Sequence, residues 1–335
     1  MNEKTVPRAE LSNSDQGAVE KKPRTLTAYM GLFIRGLAMG AADVVPGVSG
    51  GTIAFISGIY DELIDSLRRC DLIALRLLLS LRIKDAWRHV NGHFLAAVFS
   101  GVLISILSLA KAVTYLLATA PILVWSFFFG LIFSAGLYIG RQIPEWNWQR
   151  LTLLLLGLGL ALAISDLKPT QLPETWWMLM AAGAIAVCAM ILPGISGGFL
   201  LLVMGLYQSV IGAVVAFNIV FLASLGAGCV IGLLLFSHLL HWLLDRYHAA
   251  TMALLTGFLL GSLKLVWPWK EVVTSVQNRH GEWVPLVQDN VLPLQYSALT
   301  GVDSLWAWAL LCAVSGLLLV GFLEWRASVA SANGG

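Results

Sequence analysis

The 335-residue chain is 58% hydrophobic and only 12% charged, with a mean hydropathy of +0.80, well outside the range of soluble globular proteins. A formal net charge of +2 gives no basic field for nucleic acid, and the four cysteines, Cys70, Cys188, Cys229 and Cys312, stand singly without CxxC spacing, which argues against a disulfide framework or a zinc site. The composition is that of an all-α polytopic membrane protein, in keeping with its 13 Trp and 11 Pro.

In chain order, residues 1–24 are polar and without hydrophobic period, which predicts a disordered cytoplasmic tail ending in a basic cluster and no cleavable signal. An apolar region at about 26–67 is cut by Pro-Gly, and full spans follow at about 94–118, 121–141 and 150–165, each near the ~20 residues that cross a bilayer. After a linker at 166–174 the order repeats: a cut region at about 175–214, then spans at 219–242, 250–267 and 305–324. The connector at 268–304 carries Trp267, Trp269 and Trp283, as suits an interface-lying segment, and a short tail covers 327–335.

The two cut regions match each other. At an offset of 147 residues, "ADVVPGVSGGTIAFISGIYDELI" lies over "AMILPGISGGFLLLVMGLYQSVI", pairing Pro46 with Pro193, Gly47 with Gly194, Ser49 with Ser196, Gly50 and Gly51 with Gly197 and Gly198, Gly58 with Gly205 and Tyr60 with Tyr207. The chain thus divides into membrane repeats 25–165 and 175–326. Each holds a broken or re-entrant hairpin plus three spans, so the number of crossings is odd and the second half enters from the opposite face, as in many secondary transporters. With the N-terminus inside, inner segments hold Lys21, Lys22, Arg24, Arg68, Arg69, Arg76, Arg82, Lys84, Arg88, Arg141, Arg150, Arg246 and Arg326, while outer ones hold Lys168, Lys270 and Arg279. That bias predicts a multi-pass protein with both termini cytoplasmic.

Pro46 has no N–H, and its ring clashes with the preceding turn, so the first helix must stop there. Ser49 and Ser196 stand at N-cap positions of fresh helices, and Gly50, Gly51, Gly197 and Gly198 allow close backbone approach. The first-turn N–H groups cannot stay bare in lipid, and helix N-termini favour anions. Ser49, Gly50, Gly51 and Thr52, with Ser196, Gly197, Gly198 and Phe199, are therefore the candidate anion cradle. Arg35 is a candidate phosphate partner, with snorkelling to headgroups as the alternative, and Lys264 joins it toward the end of a span. Asp43 would repel an anion unless protonated or paired, and is proposed as a proton or cation (H+ or Na+) coupling residue. Glu62, with Asp65, closes the second half-helix near the inner interface and is placed to gate. His238 and His241 share a helical face but lack a third ligand, so no metal and no cofactor is expected. No P-loop, GxGxxG or nucleophile elbow is present, so no enzyme is expected.

These motifs, together with "LLTGFLLGSLKLVWPW" at 254–269, resemble the bacterial polyprenyl-phosphate translocases of the PopT type, formerly a domain of unknown function, over the chain from Leu26 to about Arg326. The resemblance implies a flippase of the bacterial cytoplasmic (inner) membrane that returns undecaprenyl phosphate, the carrier of cell-envelope polysaccharides including peptidoglycan, from the outer to the inner leaflet. In that reading the partners are the lipid bilayer and the polyprenyl phosphate, with a homo-oligomer left open. The headgroup docks at the two half-helix N-termini while the tail slides along a groove between spans, and alternating access carries the head across. A channel or proton-coupled transporter for a small soluble anion would use the same paired termini. An intramembrane phosphatase would need a base beside Ser49, and a mere scaffold would not need intramembrane Arg35 and Asp43.

Overall fold

The computed structural model describes residues 24–45, 48–167, 169–277 and 283–332; the tail before Arg24, Pro46, Gly47, Lys168 and Arg279 lie outside the described residues, as do the side chains of Trp283 and Arg326. Helix α1 (Leu26–Asp43) is capped by Thr25, whose hydroxyl accepts from the Ala28 N–H, and it ends at the first break. After α2 (Gly50–Ile56) the chain bends a second time, at Gly58, into α3 (Tyr60–Arg68). The second half does the same with α9 (Trp176–Ile191), α10 (Gly197–Val203) and α11 (Tyr207–Val215), and α10 and α11 lie 104° apart. One break per hairpin was expected and two are found. The second depends on Gly58 at φ +70 and its twin Gly205 at φ +72, a left-handed backbone that stops each short helix after seven residues. Glu62 consequently opens α3 rather than closing α2, a correction to the sequence reading.

Two short helices, α4 (Leu72–Leu79) and α5 (Ile83–His89), join α3 to α6 (Gly92–Thr119), after which come α7 (Pro121–Gln142) and α8 (Trp148–Ser165). The spans expected at 219–242 and 250–267 are two arms of α12 (Ile219–Gly261), joined at a kink where Tyr247 leaves helical geometry at φ −134 and ψ 44. Strands β1 (Lys270–Gln277) and β2 (Trp283–Asn290) pair antiparallel, with Lys270 opposite Asn290, so the connector is a hairpin and not only helix. Trp267 and Trp269 tie it down by donating to the carbonyls of Val291 and Ser304 at 2.8 Å each. After α13 (Pro293–Thr300), α14 (Trp306–Ala332) continues past residue 326 into the segment read as tail. Helices α6, α7, α8 and α12 are long and apolar enough to cross a membrane, and α9 and the Trp306–Phe322 part of α14 are shorter apolar helices. The chain is a mostly helical, multi-pass membrane protein.

The packing repeats between the halves. α1 lies on α6 as α9 lies on α12, while α8 packs against α12 as α7 packs against α14. Small residues make each crossing tight: a Cβ on Gly36 would strike the Val98 carbonyl, one on its twin Gly183 the Leu225 carbonyl, one on Gly130 the Ala313 carbonyl and one on Gly257 the Leu154 carbonyl. The hairpins lie at different ends. Asp61 and Asp65 on α3 face His248 and His241, at 3.5 and 3.8 Å, beside the kink of α12. By contrast α11 leads straight into Ile219 at the start of α12, about 40 Å of helix away.

Candidate functional site

At the first break every first-turn donor of α2 is engaged. The Gly50 N–H donates to Asp43 Oδ1 at 2.6 Å, the Gly51 N–H to Ser49 Oγ at 3.1 Å and the Thr52 N–H to the Ser49 carbonyl at 2.9 Å. The protein's own carboxylate thus occupies part of the cradle that the sequence reserved for a ligand. Asp43 is seated on the half-helix N-terminus, where its side-chain oxygen accepts from the first amide of the helix.

Three side chains of the first motif reach across to the second. Ser49 Oγ donates to the Met190 carbonyl at 3.1 Å, Tyr60 OH donates to the Ile191 carbonyl at 3.0 Å, and Thr52 Oγ1 accepts from the Gly194 N–H at 2.9 Å. The end of α9 leaves carbonyls that have no further turn to bond, and they are met from the opposite half. Gly51 lies against the same carbonyls; a Cβ there would approach the Met190 oxygen to 2.8 Å. Ser49, Thr52 and Tyr60 are all buried, and the Tyr60 ring stacks edge-on against Phe55 with centroids 5.0 Å apart.

The second motif does not return these bonds. Ser196 occupies the N-cap position of α10 without a side-chain cap bond, and its hydroxyl has no partner among the described residues. The N–H groups of Gly197, Gly198 and Phe199 are likewise unpartnered among the described residues. Met190, the twin of Asp43, packs against Gly197 where the carboxylate packs against Gly50, so α10 is left without an internal anion. Tyr207, the twin of buried Tyr60, is 41% exposed and bonds nothing among the described residues. Gly194, at φ +92, lets this break turn tightly against Ser262 and the Phe258 carbonyl of α12.

The remaining sequence candidates fall outside this contact. Arg35 is exposed on α1 and has no hydrogen bond or ion pair among the described residues. Lys264 lies two residues past Ser262, but its ammonium is paired with Asp166 at the end of α8 rather than turned to the break. Glu62 accepts both Arg24 guanidinium nitrogens, at 2.9 and 2.5 Å, and the Asn91 amide at 2.9 Å. The hydrogen bond to Glu62 raises the Arg24 pKa above its ordinary value, and the pair clamps α3 to the entry of α1. Its twin position is also a clamp: Ser209 on α11 donates to Glu174 before α9. His238 bonds the Leu234 carbonyl at 2.7 Å, and the described residues hold no group of three or more His, Cys, Asp or Glu able to bind a metal. Sequence reasoning aligned Tyr60 with Tyr207 without giving either a role; the shared G-x-Y spacing was the available signal.

A family model described as undecaprenyl phosphate translocase-like matches residues 39–284. The chain is 48% identical, over 88% of its length and 96% of the relative's, to a polyprenyl-phosphate transporter of Vibrio cholerae serotype O1. It is 32% identical to a polyprenyl-phosphate transporter of Staphylococcus aureus, over 70% of this chain and 85% of that one. No solved structure matches it.

Proposed function

The chain belongs to the undecaprenyl phosphate translocase-like family, whose matched relatives are named as transporters and not as enzymes, and on that premise we propose that it carries undecaprenyl phosphate from the outer to the inner leaflet of the bacterial cytoplasmic membrane. The observation that carries the mechanism is the direct meeting of the two breaks, through Ser49, Thr52 and Tyr60 on one side and Met190, Ile191 and Gly194 on the other. Matching hairpins, one beside the kink of α12 and the other at its start, support an inverted repeat of two re-entrant units, with both termini cytoplasmic as the basic residues suggest.

The phosphate docks first at α10, where Ser196 and the amides of Gly197, Gly198 and Phe199 are open, while Asp43 holds the place of an anion at α2. Passing the headgroup to α2 requires Asp43 to leave, which happens when it takes up a proton or pairs with a cation. That step is the coupling point. Arg35 attracts the headgroup as it leaves, and Glu62 must part from Arg24 for α3 to move. Alternating access is an exchange of contacts: the released carbonyls at 190 and 191 give way to bonds from Ser196 and Tyr207 to the carbonyls of Asp43 and Val44, their partners at the same 147-residue offset. Only the charged head needs protein, because a bare phosphate in hydrocarbon is far costlier than an isoprenoid tail there.

The test is reconstitution in liposomes loaded with undecaprenyl phosphate in one leaflet. Acceleration of its appearance in the other leaflet over empty liposomes supports the reading. No acceleration, with fast flux of a soluble anion instead, overturns it.

A further inference from the structure

Away from the breaks, on the far side of α12, an open cavity of about 440 Å³ lies between α7, α8 and α12, within the size range of ligand pockets. Its walls are the side chains of Leu137, Leu154 and Leu260, and its floor is Gly140, where an added Cβ would find nothing nearer than 4.0 Å. At one end stand Arg141 and Trp146. The loop between α7 and α8 braces this end: the Trp146 indole donates to the Gly140 carbonyl at 3.0 Å, and Arg150 donates to the carbonyls of Pro144 and Glu145. Arg141 is exposed and, unlike Arg150, makes no hydrogen bond or ion pair among the described residues. α6 starts beside Arg24, with the guanidinium 5.7 Å from the Phe94 ring, and α7 runs back antiparallel, so Arg141 returns to the face that carries Arg24 and α3.

An apolar trough with one free guanidinium at its mouth matches one chemistry: a lipid with a single anionic phosphate and a long hydrocarbon chain. A soluble anion would need more donors than this trough provides. Resting on the transport reading above, we propose that this groove is the inner-leaflet holding site of the polyprenyl phosphate, with the phosphate on Arg141 and the first isoprene units over Gly140. The neighbouring helix α12 separates it from the break, since Thr256 and Leu260 face the groove while the Phe258 carbonyl and Ser262 face Gly194.

The experiment uses full-length protein in liposomes and two photoreactive probes of equal chain length, a polyprenyl monophosphate and the corresponding alcohol. The phosphate probe is expected to label the peptides around Leu137 to Leu154, and Arg141→Gln to lower that labelling about tenfold or more, with Arg141→Lys recovering part of it. Gly140→Leu should abolish labelling, while Gly140→Ala, which the space admits, should keep it and report that the fold is intact. Equal labelling by the alcohol, labelling confined to other peptides, or displacement by inorganic phosphate as effectively as by unlabelled lipid overturns the proposal. Transport that survives Gly140→Leu refutes the groove without touching the transport reading; labelling that persists in a protein that moves no lipid refutes the transport reading alone.

Discussion

Tyr60→Phe tests the exchange of contacts most directly. The substitution keeps the ring against Phe55, 5.0 Å between centroids, and removes only the hydroxyl that donates to the Ile191 carbonyl at 3.0 Å. A lost bond of this kind costs about 1 kcal/mol net, and about 3 kcal/mol if the carbonyl is left buried without a partner. The observed arrangement should therefore lose between about fivefold and about a hundredfold in population relative to the exchanged one. Tyr207→Phe should act oppositely, because its hydroxyl is idle here and engaged only after exchange. Hydrogen–deuterium exchange of the peptides around residues 44–60 and 191–207 reads the balance: Tyr60→Phe moves protection from the first toward the second, Tyr207→Phe deepens it in the first, and the double variant returns to the wild-type ratio. If both single variants shift the ratio in the same direction, or Tyr60→Phe leaves it unchanged, the exchange of contacts is wrong.

Thr52→Val removes the acceptor of the Gly194 N–H and should shift the same exchange ratio in the Tyr60→Phe direction, by about fivefold. Asp43→Asn should flatten the pH dependence of transport while headgroup binding is retained or tightened, read by the transport rate and lipid affinity across pH; a steeper pH profile would remove Asp43 from the coupling step. For Arg24 and Glu62, 33% and 16% exposed, a double-mutant cycle on thermal stability with Arg24→Gln and Glu62→Gln should give a coupling of about 1 kcal/mol or less at this partly solvated pair. Burial pushes the Lys270 ammonium, which lies 3.9 Å from the Trp125 ring centroid and donates to the Leu265 carbonyl, down to about 8. A folded pKa below the unfolded one means that the penalty, up to about 3 kcal/mol, is fully present below pH 8 and is relieved as pH rises from about 8 toward 10.5. Unfolding measured against pH should show stability climbing through that window, and Lys270→Met should remove the slope.

Much of this was legible because apolar length and helix-breaking chemistry act locally. Pro-Gly between apolar runs marks where α1 and α9 stop, and Ser49 caps α2 as its position predicts. What was not legible depends on partners distant in sequence. Nothing near Asp43 announces that it will accept from the Gly50 N–H, seven positions on. Nor can the spacing of Lys264 show that Asp166, ninety-eight positions away, claims its ammonium. The second bend at Gly58 and Gly205 was visible only as a shared glycine, since a glycine after a short apolar run is equally compatible with a continuing helix. The β1–β2 hairpin escaped notice because interface tryptophans fit a helix lying on the bilayer as well as a strand.

The repeat halves differ at the very positions where the proposed exchange of contacts would make them equivalent, so that exchange would have a preferred side. Thr52 offers a hydroxyl to the Gly194 N–H, but its twin is Phe199, which has none to offer in return. Asp43 takes the first donor of α2, the Gly50 N–H, but its twin Met190 has no acceptor to offer Gly197. An exact repeat would hold both arrangements at equal free energy; here the observed one has an extra cross-half bond and an extra internal anion. On the proposed exchange, the unliganded protein should rest with the second motif open and the first closed, and the exchanged arrangement should lack about 1 kcal/mol of bonding that a ligand would have to supply. In the proposed mechanism a phosphate would supply it, by accepting from the Gly50 N–H that Asp43 otherwise holds. Duplication provided two breaks that meet; on the proposed exchange, the departures from duplication at Thr52 and Asp43 would make the empty carrier wait at one side.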